Sequence, residues 1–380
     1  MWRKIAFGVA VLSLYRLAGL AQLSPGTWRT ELSKRSIDLR ELNQGGPPKD
    51  GIPAIDKPKF DVTGQAGRWL NPKEPVLVVE HAGQARAYPL QILIWHELAN
   101  DQIEDLPLLL SYCPLCNSAI AFDRRVDGKV YTFGVSGMVR NSDMVMYDRQ
   151  TESLWQQIGG EAIVGGLTGK RLAVVPSQIV SFSEFARTFP QGRVLNRETG
   201  YSRAYGQNPY AGYETANRPI MPVKIDRPLR LPPLERIVTV ELEGRSRAYP
   251  FSLLRRRHVL EDRIKDKRFV ILFQPGTLTP LDRPRISESQ DVGSAAVFYR
   301  EVDGKRLSFA EKNGKVADKQ TASTWNLFGI STDGPLAGKR LDAVPHGIYF
   351  AFAWLVFNPS TEVVGQPPAF EAEPLEGGRR

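Results

Sequence analysis

Apolar and polar positions alternate along this chain in short blocks, and the block lengths favour strands. From Pro75, PVLVVEHAGQARAYP reads as two strands about a turn at Ala82-Gly83. LQILIWHEL then places Leu90, Leu93, Ile94 and Glu97 at helical spacing, which predicts a short helix. LPLLLSY reads as a buried strand, and AIAFDRRVDGKVYTFG as a hairpin turning at Asp127-Gly128. MVMYDRQTESLWQQ and EAIVGG continue the strands, and Ser181 with Glu184 fits a capping box opening a helix that stops at Pro190.

The same order returns further along, and that repetition sets the expected architecture. Arg86-Ala87-Tyr88-Pro89 comes back 161 residues later as Arg247-Ala248-Tyr249-Pro250. Asp127-Gly128-Lys129 comes back as Asp303-Gly304-Lys305, Ser153-x-Trp155 as Ser323-x-Trp325, and Gly169-Lys170-Arg171-Leu172 as Gly338-Lys339-Arg340-Leu341. The expectation is a mainly β (α+β) fold: two tandem copies of an antiparallel β-rich domain with a few short helices. Copy one covers 70–200 and copy two 232–366, joined by a Tyr/Pro-rich linker at 201–231 that folds across copy one. An extended, Pro/Gly-punctuated lead-in occupies 23–69, and 367–380 reads as a disordered tail. Copy two carries an insertion placed at Thr277–Asp291, and copy one the longer loop at Gly134–Asp143.

Composition agrees with a globular chain, at 42% hydrophobic and 24% charged over 380 residues. The first 22 residues have basic Arg3 and Lys4, then an apolar run from Ile5 to Tyr15, the anatomy of a signal peptide. The run is shorter than the roughly 20 residues that span a bilayer. The expected location is therefore the periplasm or cell surface, with no transmembrane helix in the mature chain. The net charge of +9 is densest at 255–268, where Arg255, Arg256 and Arg257 suggest association with an anionic membrane surface, or simply a solvated face. No aromatic-interleaved basic motif for nucleic acid occurs.

Candidate chemistry lies in what only one copy carries. The two cysteines of the chain, Cys113 and Cys116, fall in copy one, and the repeat aligns them with Gln274 and Thr277. His96 aligns with Arg257. Three readings fit Cys-Pro-Leu-Cys. A metal knuckle would hold copper or zinc on Cys113 and Cys116, completed by His96, with Glu97 and then His81 behind it. A redox pair would act as a thiol–disulfide oxidoreductase, although Asn117–Phe122 alternates like a strand rather than opening a helix. A structural disulfide would leave a non-enzymatic extracellular binding module. Glu97, Arg140 and Asp143 are the candidate catalytic residues, and Arg140-Asn141-Ser142-Asp143 is a candidate ligand loop whose plain alternative is a polar turn. Trp155 and Trp325, present in both copies, read as core. There is no G-x-S-x-G, H-E-x-x-H, P-loop or helix-opening G-x-G-x-x-G.

Trp95-His96-Glu97-x-x-Asn100-Asp101, Tyr112-Cys113-Pro114-Leu115-Cys116-Asn117, Asn141-Ser142-Asp143 and Met146-Tyr147-Asp148-Arg149-Gln150-Thr151-Glu152-Ser153 together carry a resemblance. Over about 60–365 the chain resembles the prokaryotic family catalogued as domain of unknown function 3179. The resemblance implies an exported or lipid-anchored protein, and this leader has no lipobox cysteine. It also implies that His96, Glu97, Cys113, Cys116 and Asn141–Asp143 form one site, and it assigns no activity.

Overall fold

A computed structural model describes residues 28–225 and 228–365. The leader at 1–22 and the tail at 367–380 lie outside the described residues. The fold is mostly β, with several antiparallel sheets and few short helices. No helix among the described residues is long and apolar enough to cross a membrane.

The N-terminal half begins with the strands β1 (Pro75–His81) and β2 (Gln84–Pro89), followed by the helix α1 (Leu90–His96). The strands β3 (Leu98–Ile103), β4 (Leu106–Cys113) and β5 (Ser118–Asp123) follow as one meander. A long hairpin, β6 (Phe133–Arg140) and β7 (Asp143–Asp148), pairs onward to Leu154–Gln156 and Glu161–Val164. Every residue of β4 is buried, which explains why LPLLLSY reads as a continuous apolar run rather than an alternating one. The helix Phe182–Thr188 starts where expected, with the Ser181 hydroxyl accepting from the Glu184 N–H at 3.2 Å.

The C-terminal half runs through the same sequence of elements: Arg236–Leu242, Arg245–Pro250, helix Phe251–Arg257, Val259–Ile264, Lys267–Gln274 and Ser294–Tyr299. Shared motifs occupy equivalent structural roles. Arg86 and the Tyr88 hydroxyl both donate to Asp101, at 2.7 and 2.6 Å, and Arg247 and Tyr249 do the same to Asp262, at 2.8 and 2.7 Å. Asp148 accepts from the Trp155 indole at 3.0 Å, and Asp318 from that of Trp325 at 3.1 Å. Both tryptophans are buried, so these motifs serve packing.

The halves are not separate in their cores. One buried cluster joins Val76, Val78 and Phe185 to Val270, Phe298, Trp325 and Phe328. Another holds the two cysteines together with Phe350 and Phe352. The segment between the halves is anchored at points along its length: the Asn208 N–H donates to the Pro284 carbonyl and that of Gly212 to the Asp282 carbonyl, so the Thr277–Asp291 insertion supports it.

Two polar stretches turn out to be walls of the site. In the lead-in, Leu42–Gln44 pairs antiparallel with Met138–Arg140. The stretch expected as a loop at Gly134–Asp143 is strand for most of its length, with an irregularity between Val135 and Met138. Gly137 sits there at φ 79°, and a Cβ would lie 2.2 Å from the Pro47 carbonyl oxygen. Only glycine lets the lead-in come so close.

Candidate metal centre

The Cys-Pro-Leu-Cys stretch is the turn between β4 and β5. The Cys116 N–H donates to the Cys113 carbonyl at 3.2 Å, and the Asn117 N–H to that of Pro114 at 3.3 Å. Asn117 closes the turn at φ 49°, a left-handed conformation that its short polar side chain tolerates. Cys113 then faces Ser118 across the ladder, and both thiols point into the protein. Both are free and buried.

The third member comes from β7. Asn141 and Ser142 make the β6–β7 turn with φ of 48° and 65°, which aims the Ser142 carbonyl at the sulfurs, 4.0 Å from Cys113 Sγ and 3.5 Å from Cys116 Sγ. Asp143 follows at once. Its carboxylate and the two sulfurs offer ligand atoms that all lie within 4.8 Å of one another. Asp143 Oδ2 accepts from the Gln156 amide and from the Ile158 N–H, the latter at 3.1 Å. Asp143 Oδ1 and Ser142 Oγ are buried without a partner.

Electrostatics sharpen the picture. Burial pushes the Asp143 carboxyl up to about 6, against hydrogen bonds that hold it down. Burial, with Cys113 and Asp143 alongside, pushes the Cys116 thiol well above its ordinary value. Glu97 rises to about 8 through burial and the nearby Asp143. These shifts share one sign because the groups that would carry negative charge are gathered in low dielectric. Arg140 is spent elsewhere: its Nε donates to Glu41 at 2.8 Å and its Nη1 to Gln156 at 3.3 Å, and only the Gln156 amide links it to Asp143.

Asp143, rather than His96, stands with the two cysteines in this cluster of ligand atoms. His96 lies outside the group, and both its ring nitrogens are taken. Nδ1 lies 2.7 Å from the Pro53 carbonyl, which can only accept, so Nδ1 carries the proton. Nε2, 2.6 Å from the Tyr205 hydroxyl, then accepts from it, and burial keeps the ring neutral. No lone pair is left for an ion. His81 is also distant from the group and reaches Asp105 at 2.7 Å. Glu97 is not among the clustered ligand atoms, but it lines a cavity of about 170 Å³ together with Cys113. Its position is fixed by its own backbone, which donates to Leu93 and accepts from Tyr112, each at 2.7 Å.

Of the loop at 140–143, therefore, Asp143 belongs to the site through its side chain and Ser142 through its carbonyl. Asn141 instead accepts from the Lys224 N–H at 3.0 Å, holding the covering segment. That segment was expected only to lie across this half. It supplies Tyr210, Ile220 and Met221 to the cavity wall, and the Tyr213 hydroxyl donates to the Leu115 carbonyl at 2.7 Å.

Fold and site define a mainly antiparallel β protein enclosing a buried dithiol–carboxylate group. The family described as "Protein of unknown function (DUF3179)" matches residues 49–361, and the chain belongs to that family. No curated protein and no solved structure matches it.

Proposed function

We propose that this chain binds a metal ion, copper or zinc, on Cys113, Cys116 and Asp143. The observation that carries the reading is Asp143 Oδ1, buried beside two free thiols without a hydrogen-bond partner among the described residues. A buried group of this kind is costly without a counter-charge, and a bound cation supplies one. Two sulfurs and a carboxylate oxygen make an accepted donor set for zinc, and thiolates also hold Cu(I). Metal analysis of untagged protein, wild type beside Cys113→Ser and Asp143→Asn, tests the reading. It predicts bound metal in the wild type and loss in both variants; equal metal in all three removes it.

A second reading keeps the pair as a thiol–disulfide oxidoreductase, favoured by two unbonded sulfurs so close together. The elevated Cys116 thiol makes a poor attacking thiolate at neutral pH, which places this reading behind the first. A reduction potential below about −300 mV, the range of structural bridges, would count against it.

The chain is further read as exported, to the periplasm or cell surface, on the strength of its leader. Its halves are read as copies of one ancestral unit, supported by the recurring Arg-Tyr-Asp clamp. Exposed Arg255, Arg256 and Arg257 are the surface for any contact with anionic lipid.

A further inference from the structure

We infer that the cavity over Cys113 binds a small neutral molecule, apolar in its body and carrying a hydroxyl that pairs with the Glu97 carboxyl. The inference is independent of the metal reading, since the cavity and Glu97 stand whether or not an ion rests on the sulfurs. The cavity has a volume of about 170 Å³. An apolar cavity of about 150 Å³ holds a molecule the size of benzene, which sets the scale of the ligand at one ring.

The wall is apolar apart from a few groups. Val135 and Met144 share a buried cluster with Cys113, and Ile52, Leu115 and Tyr210 pack against it. Among the described residues that line the cavity, Glu97 is the one carboxylic acid, and none is Lys, Arg or His. Ile220 belongs to the wall and is 56% exposed, which puts the mouth at the covering segment.

Glu97 is 8% exposed, and its carboxyl makes no hydrogen bond or ion pair among the described residues. Burial, then the charges of Glu97 and Cys113, push the Tyr210 hydroxyl up; burial, then Asp143, do the same to Glu97. The carboxyl is thus held on the side of the cavity that carries the thiol. A buried acid without a partner is costly, and a ligand that supplies the missing bond gives it a use.

The C-terminal half has the same backbone without the acid. The Phe273 N–H donates to the His258 carbonyl at 2.7 Å, as that of Tyr112 does to the Glu97 carbonyl, so the two positions are equivalent. There the His258 ring stacks on Phe273 with centroids 5.9 Å apart, and Gln274 follows in place of Cys113. The helix end and the strand beside it form without a carboxyl, so folding does not account for Glu97.

A hydroxyl suits Glu97 in either protonation state, donating to a carboxylate and accepting from a carboxylic acid. An anion would meet Glu97 with no cationic side chain in the wall. An ammonium would have to shed its water against apolar side chains. A neutral alcohol or phenol meets neither obstacle.

The test uses the full chain as purified, untagged, with methyl-labelled methionine, titrated with benzyl alcohol, toluene, benzylamine and benzoate. Benzyl alcohol is expected to shift the Met144 and Met221 methyl resonances, which line the cavity, and to leave that of Met146 in place. It should bind about fivefold tighter than toluene, the worth of one net hydrogen bond, and tighter than either charged probe. Glu97→Leu should abolish the preference for the alcohol while keeping toluene. Should that variant fail to fold, Glu97→Gln, which retains hydrogen-bonding atoms, should keep the preference. No shift with any probe overturns the inference, as does a wild type that binds toluene, benzylamine or benzoate as tightly as the alcohol. A Glu97→Leu variant with the wild-type ranking, or a Glu97→Gln variant that has lost it, does the same. Cys113 and Cys116 are unchanged throughout, so each of these outcomes leaves the metal reading to its own experiment.

Discussion

The backbone N–H of Phe350 donates to the carbonyl of Cys116 at 2.9 Å, so a residue near the end of the chain closes the turn that carries the second thiol. The same strand of the C-terminal half places Phe350 in one buried cluster with both cysteines. The site thus depends on both halves, although all its side chains come from one.

Unfolding should therefore be one event. Calorimetry of the full chain is expected to give a single transition, since shared cores couple the halves. A fragment ending at 231 is expected to show no cooperative melt. Two well-separated transitions would speak against the coupling.

His96 separates a structural role from a ligand role. His96→Ala leaves the Pro53 carbonyl and Tyr205 hydroxyl without their partner, at a cost of about 1–3 kcal/mol. Metal content should stay at the wild-type level once the protein is kept folded by low temperature. Loss of metal with unchanged stability would restore His96 to the ligand set.

The pH dependence has a definite sign in the metal-free protein. Glu97 sits near 8 when folded against an ordinary 4.5. Its folded value is raised, so its favourable contribution is complete below about 4.5. It is lost as pH climbs to about 8, at about 1.4 kcal/mol per pH unit where the two states differ by a full proton. Glu97→Gln should flatten that decline between pH 5 and about 8 in melting curves. A variant that melts with the wild-type slope would show Glu97 to be ordinary.

The Arg-Tyr-Asp clamps differ in burial between the halves, and so should their worth. Asp101→Ala takes the carboxylate from Arg86, whose side chain is 17% exposed and keeps the Gln102 carbonyl at 2.9 Å, and should cost about 3–5 kcal/mol. Asp262→Ala frees Arg247, which is 22% exposed and keeps Glu362 at 2.9 Å, so its cost should be smaller. Denaturant melts of the two variants give the comparison.

Local rules carried much of the fold. Apolar runs about a Gly-bearing turn mark β1 and β2, and the Ser181 cap marks its helix. Repeated words such as Arg-Ala-Tyr-Pro sort structural residues from unshared ones. What escaped was spatial. His96 stood out because the second copy carries Arg257 in its place, yet its imidazole is satisfied by Pro53 and by Tyr205, which is 109 positions away. Asp143 was legible as a candidate catalytic residue and, through the family resemblance, as a neighbour of the cysteines, but not as a ligand beside them, because no spacing rule ties a carboxylate on one hairpin to thiols on another.

The edge strand Leu42–Gln44 and the residues just after it have a practical bearing on how this chain is trimmed. Cutting at residue 49, where the family match begins, would remove Gly45 and Pro47 from the cavity wall and Glu41 from Arg140. A shortened protein of that kind would keep its cysteines but leave them drained of shelter, open to oxygen and chelators from the side that the native chain shuts.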